Sequence, residues 1–233
     1  MKPYVVALRE GHAFGVLAAV TLPPAPAAPP PEPVPPDVLA RLHPEELARA
    51  ETLQGYRQVD FVGGRLAASA AIRMLGLRPA PVLSEPDGAP RCPRGVALSI
   101  THKRTLAVAL AARADQGSIG VDLEDLLPDR RQIAPQILTA AERDEVSAMP
   151  PERQWNAIVL RFSLKEAVYK ALAPRLGRYI GFQEASVSLE ASGTAHVSLH
   201  LANGEPEPSL EARYLWLPGR VLTMVRARWA PPG

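Results

Sequence analysis

Gly120-Val121-Asp122-Leu123-Glu124, followed by Phe162-Ser163-Leu164-Lys165-Glu166-Ala167-Val168-Tyr169-Lys170, sets charge inside apolar sequence. Three carboxylates and two lysines in such segments need a counter-ion or a ligand, because burying a lone charge is costly. On a strand, residues two apart share a face. Asp122 and Glu124 therefore look one way, and Ile119, Val121 and Leu123 the other. At about 3.3 Å rise per residue their Cα atoms stand roughly 7 Å apart, within reach of one small hard cation. A helix carrying Glu166 brings a third oxygen donor. The pattern points to a magnesium site.

The helical reading of the second stretch rests on Trp155, Ile158, Val159, Phe162 and Tyr169, which recur at helical spacing. Glu166 falls in the middle of that stripe, while Leu160, Leu164 and Ala171 cover the opposite side. The helix is expected to be covered on both faces. A Glu166–Lys170 pair at i,i+4 is the simpler alternative, worth only about 0.2–0.5 kcal/mol on a surface.

Composition narrows the function classes. The chain has 233 residues and 47% apolar content, enough for one large domain or two halves. A net charge of +2 without a polybasic run argues against nucleic acid as a partner. Four of the 26 basic residues are lysine, leaving 22 arginines, so two lysines in one helix mark places where a compact ammonium is wanted. A single cysteine, Cys92, excludes an internal disulfide and fits a reducing cytoplasm. The apolar run Ala13–Leu22 is about half the length needed to span a bilayer, so no membrane segment is expected.

Along the chain, 4–9 and 13–21 read as a strand pair turning at Gly11-His12. Pro23–Pro36 reads as an extended surface connection. Asp37 is expected to cap a short helix, and Pro44 to start a second one running to Leu53. Tyr56–Leu75 reads as a long helix, and Val96–Thr101, Thr105–Ala112 and Ser118–Glu124 as strands. Helices over 134–148 and 152–172 follow. Ala185–Glu190, Ala195–Leu201, Leu210–Leu217 and Val221–Trp229 end the chain as strands. Strands with helices occur once in each half. An α+β protein with a duplicated plan is expected, with halves 1–116, carrying the proline-rich loop 23–36, and 117–233.

The two opening stretches resemble the paired signature of the 4′-phosphopantetheinyl transferases, in the form of the surfactin/enterobactin type. Ser99-Ile100-Thr101-His102 is similar to that family's Ser-x-Ser/Thr-His element, and Arg57 to Ala68 to its arginine-bearing helix. The resemblance runs from about residue 50 to 172. It implies a monomeric pseudo-dimer of two similar α+β halves. The implied activity is Mg²⁺-dependent transfer of 4′-phosphopantetheine from coenzyme A to a serine of an apo acyl or peptidyl carrier protein, releasing adenosine 3′,5′-bisphosphate. Fatty-acid, polyketide and non-ribosomal peptide carriers, siderophore synthesis included, all present such a serine.

By the same resemblance Asp122, Glu124 and Glu166 are metal ligands, and Lys170 contacts the pyrophosphate and can protonate the leaving phosphate. Thr101 and His102 meet coenzyme A phosphates, Arg57 and Arg65 its 3′-phosphate end, and Glu142 matches a glutamate proposed as base or water-orienting group. Each residue also has a structural reading. His102 could be a turn histidine, and Arg57 and Arg65 solvated arginines roughly 80° apart on their helix. Glu142 could close a capping box on Thr139. Two other functions use the same residues: a Mg²⁺-dependent nucleotide or phosphate hydrolase, and a non-catalytic coenzyme A- or carrier-binding module.

Overall fold

A computed structural model describes residues 2–24, 31–85 and 88–230. Positions 25–30, the middle of the Pro23–Pro36 tract, and 86–87 lie outside the described residues. The chain divides into two compact units, one ending at Gln116 and the other starting at Gly117.

In the first unit β1 (Val6–His12) and β2 (Gly15–Thr21) form a hairpin, followed by α1 (Pro36–Leu39), α2 (Pro44–Glu51) and α3 (Gly55–Met74). Two short strands, β3 (Leu83–Ser84) and β4 (Pro90–Arg91), precede β5 (Val96–Lys103) and β6 (Leu106–Arg113). The main sheet is antiparallel in the order β1-β2-β6-β5. α3 lies on it through small residues. A Cβ on Gly63 would fall 3.2 Å from that of Ala107 and 2.2 Å from Leu22 Cδ2. Ala67, Ala68 and Ala71 join Ala107, Ala109 and Ala111 in one core with Val16, Ala18 and Val20.

The second unit opens with β7 (Ser118–Asp125), then α4 (Ala134–Ile137), α5 (Ala140–Ser147) and the long α6 (Pro151–Leu176). It closes with β8 (Ala185–Leu189), β9 (Thr194–Leu199), β10 (Ser209–Leu217) and β11 (Arg220–Arg228), in the antiparallel order β7-β11-β10-β9-β8. α6 is covered on both sides, as its periodicity requires. Leu160, Leu164, Ala167, Val168 and Ala171 pack with Val187, Val221 and Val225 of the sheet. Trp155, Ile158 and Val159 pack with Ile137, Leu138 and Val146. No helix among the described residues is long and apolar enough to cross a membrane.

Apart from β3 and β4, which were not expected, the strands and the two long helices, α3 and α6, stand within a few residues of their expected bounds, with local corrections. The first hairpin turns at Ala13-Phe14, not Gly11-His12, because β1 stays paired through His12↔Gly15. Asp37 sits inside the first turn of α1, whose N-cap is Pro35. α2 ends at Glu51 and is capped by His43, whose Nδ1 accepts from Glu45 N while Glu46 Oε2 accepts from His43 N at 3.1 Å. The expected helix 134–148 is two helices, since Leu138 and Thr139 adopt extended backbone and Thr139 caps the second.

Gly120 sets how closely α6 approaches the sheet. A Cβ there would lie 1.9 Å from the Ala167 carbonyl oxygen and 2.9 Å from Ala171 N, both helix backbone that cannot step aside. Gly120→Ala must therefore lift α6 from β7. We expect it to cost at least about 1–3 kcal/mol, the usual penalty of an overpacked core, read as a lower denaturation midpoint in urea. An unchanged midpoint would show that the helix can yield.

Candidate active site

Because Gly120 admits the helix, the residues sharing its strand face meet α6 directly. Asp122 is buried, and Ser163 Oγ donates to its Oδ2 at 2.8 Å. Thr223 Oγ1 of β11 lies 2.9 Å from Ser163 Oγ and donates to the Ser163 carbonyl at 2.9 Å. Lys170, two turns further along α6, places Nζ 2.7 Å from Asp122 Oδ1 and donates also to the Val121 carbonyl at 3.2 Å. Asp122 is thereby held at both oxygens, one by a neutral hydroxyl and one by a charge. Its lysine partner keeps 26% of its side chain exposed.

Glu124, next on the same strand face, is buried, with Oε2 3.9 Å from Arg130 Nη2. Asp125 Oδ1 accepts from Arg220 Nε at 2.7 Å. Glu166 is half-buried on α6. Its charge helps to raise the pKa of Tyr179, whose largest cause is burial. The Tyr179 ring lies 5.3 Å from that of Tyr169. Among the described residues, no three His, Cys, Asp or Glu side chains gather closely enough to share a metal ion. Asp122 turns to Lys170 and Ser163. The donor chemistry still fits magnesium: hard carboxylate oxygens on a strand and on the helix lying against it.

Glu142, expected as a base or water-orienting group or as a cap on Thr139, is buried. It closes the Thr139 capping box, with Oε2 accepting from Thr139 N at 2.7 Å. The same oxygen accepts from Lys165 Nζ at 2.7 Å, and Oε1 accepts from Val187 N at 2.7 Å. Lys165, 1% exposed, spends its other two protons on the carbonyls of Ile137 and Phe182, each at 2.9 Å. Burial lowers the lysine's pKa, and the hydrogen bond to Glu142 opposes that. Three donors on the carboxylate and three acceptors around the ammonium make a closed structural pair.

In the first unit, His102 is exposed near the end of β5, its Nδ1 3.3 Å from Asp60 Oδ2 on α3. Burial raises the Asp60 pKa and the histidine opposes it. Thr101 is buried on the opposite face of that strand. Arg57 is exposed in the first turn of α3.

Arg65, expected beside Arg57 as a phosphate contact, is buried. It donates from Nε to the Val82 carbonyl at 2.5 Å and from Nη2 to Ser84 Oγ at 3.0 Å. Its guanidinium stacks 4.2 Å from the Phe61 ring centroid. Desolvation brings its pKa down to about 10, against the charge of Glu46. The 80° between the two arginines is enough to put one in solvent and one under the helix.

Sequence reasoning missed the support beneath Asp122 and the destination of Lys165. A polar Thr223 inside the otherwise apolar run Val221–Val225 was the readable signal for the first. Arg178 is held between two carboxylates. It donates from Nε to Glu205 and from Nη2 to Glu184 at 2.7 Å.

Comparison with known proteins agrees with this layout. The family model described as the 4′-phosphopantetheinyl transferase superfamily matches residues 118–224, and that of the 4′-phosphopantetheinyl transferase N-terminal domain matches 43–112. The 4′-phosphopantetheinyl transferase PptT of Mycobacterium tuberculosis is 33% identical over 195 residues, 80% of this chain and 80% of its own. Svp of Streptomyces mobaraensis, of the same description, is 32% identical over 208 residues, 85% of this chain and 83% of its own. Enterobactin synthase component D of Salmonella typhimurium is 33% identical over 180 residues, 73% and 72%. The protein is thus a transferase built on an α+β fold. It belongs to the 4′-phosphopantetheinyl transferase superfamily.

Two outcomes follow from the buried and half-buried pairs. Lys165→Met leaves Glu142 charged and buried without its cation. That should cost about 3–5 kcal/mol in chemical denaturation, and wild-type stability would show the pair to be dispensable. Glu184 and Glu205 are each held down at about 2, chiefly by hydrogen bonds from Arg178. A depressed acid stabilises the fold above its unfolded pKa, near 4.5, and loses that contribution as pH falls toward about 2. Arg178→Ala should therefore melt lower than wild type at neutral pH. The gap should close on acidification to about pH 2; a gap independent of pH would assign the loss to packing.

Proposed function

We propose that this transferase moves the 4′-phosphopantetheine arm of coenzyme A onto a serine of an apo acyl or peptidyl carrier protein in a Mg²⁺-dependent reaction, leaving adenosine 3′,5′-bisphosphate. The observation that carries the reading is the buried Asp122, held by Ser163 on one oxygen and facing the part-exposed ammonium of Lys170 on the other. The acceptor brings the nucleophilic hydroxyl, so the enzyme's task is to position a diphosphate and balance its charge. Asp122, Glu124 and Glu166 would hold the magnesium ion, which when bound supplies Lewis-acid stabilisation of phosphoryl oxygens.

Every other role belongs to side chains of the protein. Ser163, braced by Thr223, fixes the Asp122 carboxylate so that Oδ1 faces cations. Lys170 Nζ is close to that edge yet solvent-accessible, so it can pair with a phosphate oxygen and give a proton to the leaving phosphate. In the first unit the exposed Arg57 and His102, with Thr101, are assigned to phosphates of coenzyme A, Asp60 orienting the imidazole through Nδ1. Glu142 is assigned to holding Lys165 and not to proton transfer. The protein would act as a monomer in the cytoplasm.

The test is incubation with coenzyme A, Mg²⁺ and an apo carrier protein, read by intact mass. Gain of the phosphopantetheine arm on the carrier serine is expected; loss of coenzyme A without carrier modification would favour a hydrolase. A chelator should abolish transfer and added Mg²⁺ restore it. Asp122→Ala should lower turnover by at least about a hundredfold with the fold retained. Lys170→Ala should lower kcat more than it raises KM for coenzyme A. Near-normal turnover in either variant would remove that residue from the chemistry.

A further inference from the structure

The ring assigned to a phosphate, that of His102, stands against a carboxylate. Its side chain is 48% exposed, and Nδ1 lies 3.3 Å from Asp60 Oδ2. The pair joins the end of β5 to the second turn of α3, two elements that approach closely at Gly64, where a Cβ would meet Ile100 Cγ2 at 3.0 Å. Around the pair the chain is basic. Arg57 lies three residues before Asp60 on α3, and Lys103 and Arg104 follow His102 into the turn to β6, Arg104 at a left-handed φ of 46°. Asp60 also acts on the buried Tyr4. That hydroxyl is pushed up to about 12, by burial first and by the Asp60 charge second, so it stays neutral.

A neutral imidazole carries one N–H and one lone pair. The nitrogen beside a carboxylate holds the proton, because two facing lone pairs repel. A phosphate oxygen that meets the ring at Nε2 then faces the other lone pair. Only a second proton makes both nitrogens donors, one toward Asp60 and one toward the phosphate. The neighbouring cations oppose that charge, and Asp60 supports it. The support is reciprocal: burial raises the Asp60 pKa, and the histidine opposes the rise.

Given the assignment of His102 to a coenzyme A phosphate, on which this step rests, we propose that Asp60 is a positioning residue. It makes the doubly protonated imidazole the form that binds, and so ties coenzyme A affinity to pH. The sign follows from the charge. An imidazolium is present at low pH and lost as pH rises, and an adjacent carboxylate preserves it to higher pH. Asp60→Asn keeps the shape and an acceptor oxygen but removes the charge. The loss of affinity should then begin at lower pH.

The experiment is calorimetric titration of the intact protein with coenzyme A between about pH 6 and about pH 8. At the acid end wild type and Asp60→Asn should bind within about twofold of each other; at the alkaline end the variant should be weaker by about fivefold or more. Asp115→Asn, which removes the same charge from an exposed site in the same unit, should follow wild type throughout. In a His102→Gln background the Asp60 change should have no pH-dependent effect. An Asp60→Asn gap equal at every pH would make the aspartate a strut, and no gap would leave it no part in binding; either result overturns the role of Asp60. Wild-type affinity in His102→Gln alone would instead remove the histidine from the phosphate, so failure of that assignment reads differently. Without ligand, the His102 Cε1 proton followed by NMR should titrate at lower pH in Asp60→Asn than in wild type, and an unchanged midpoint would also overturn the proposal.

Discussion

The contact between the Gly120 backbone and the Ala167 carbonyl governs the second unit. Any side chain on Gly120 would meet helix backbone, so the helix rests on the strand itself and not on a layer of side chains. The consequence is chemical as well as steric. At that separation Ser163 reaches Asp122 at 2.8 Å and Lys170 reaches it at 2.7 Å. A helix held further off would leave a buried carboxylate with neither hydroxyl nor ammonium, a state that costs several kcal/mol or forces protonation. Gly120, Asp122 and Ser163 are therefore one device, although Ser163 lies 41 residues beyond Asp122 in sequence.

The two lysines of α6 divide the work by burial. Lys165 is 1% exposed, and its three protons are all taken by oxygen. A planar guanidinium could not match that three-point arrangement, so lysine is required in an arginine-rich chain. Lys170 is 26% exposed and shares its ammonium between Asp122 and one carbonyl. Such an ammonium can change partners at modest cost. One ammonium locks α5 and the segment before β8 onto α6; the other remains available at an edge that solvent reaches. Their spacing of five residues rotates them by roughly 140° on the helix, enough to send them to opposite sides.

Elements were legible in the sequence to the extent that burial follows periodicity. The strands from Val96 to Glu124, the C-terminal strands and α6 with both faces covered were all readable from spacing. The break at Leu138-Thr139 was not, because apolar spacing continues across it and only the Thr139 cap marks the new start. At the site, alternation placed Asp122 on the face that meets the helix. Partner choice was less legible. An i,i+4 rule offers Glu166 to Lys170, yet Lys170 reaches across to Asp122 because the strand is as near as the next turn and the carboxylate there is buried. Helical geometry likewise gave the angle between Arg57 and Arg65 but not the depth of each, which depends on the loop through Val82 and Ser84.

The arginine count illustrates why composition does not translate into surface charge. Arg178 is shared by two carboxylates, Arg220 is bound to Asp125, and Arg91 lies 2.8 Å from Glu85. Arg161 is wholly buried, with Nη2 2.7 Å from Glu145 Oε2 and Nη1 donating to the Ala157 carbonyl at 3.3 Å. Such residues cancel or bury their charge and serve as struts between segments. The field that a polyanionic ligand meets comes from the smaller set left over, Arg57, Arg73 and Arg78 among them. A near-neutral chain can in this way concentrate positive potential in a few places while its other guanidiniums hold the fold together.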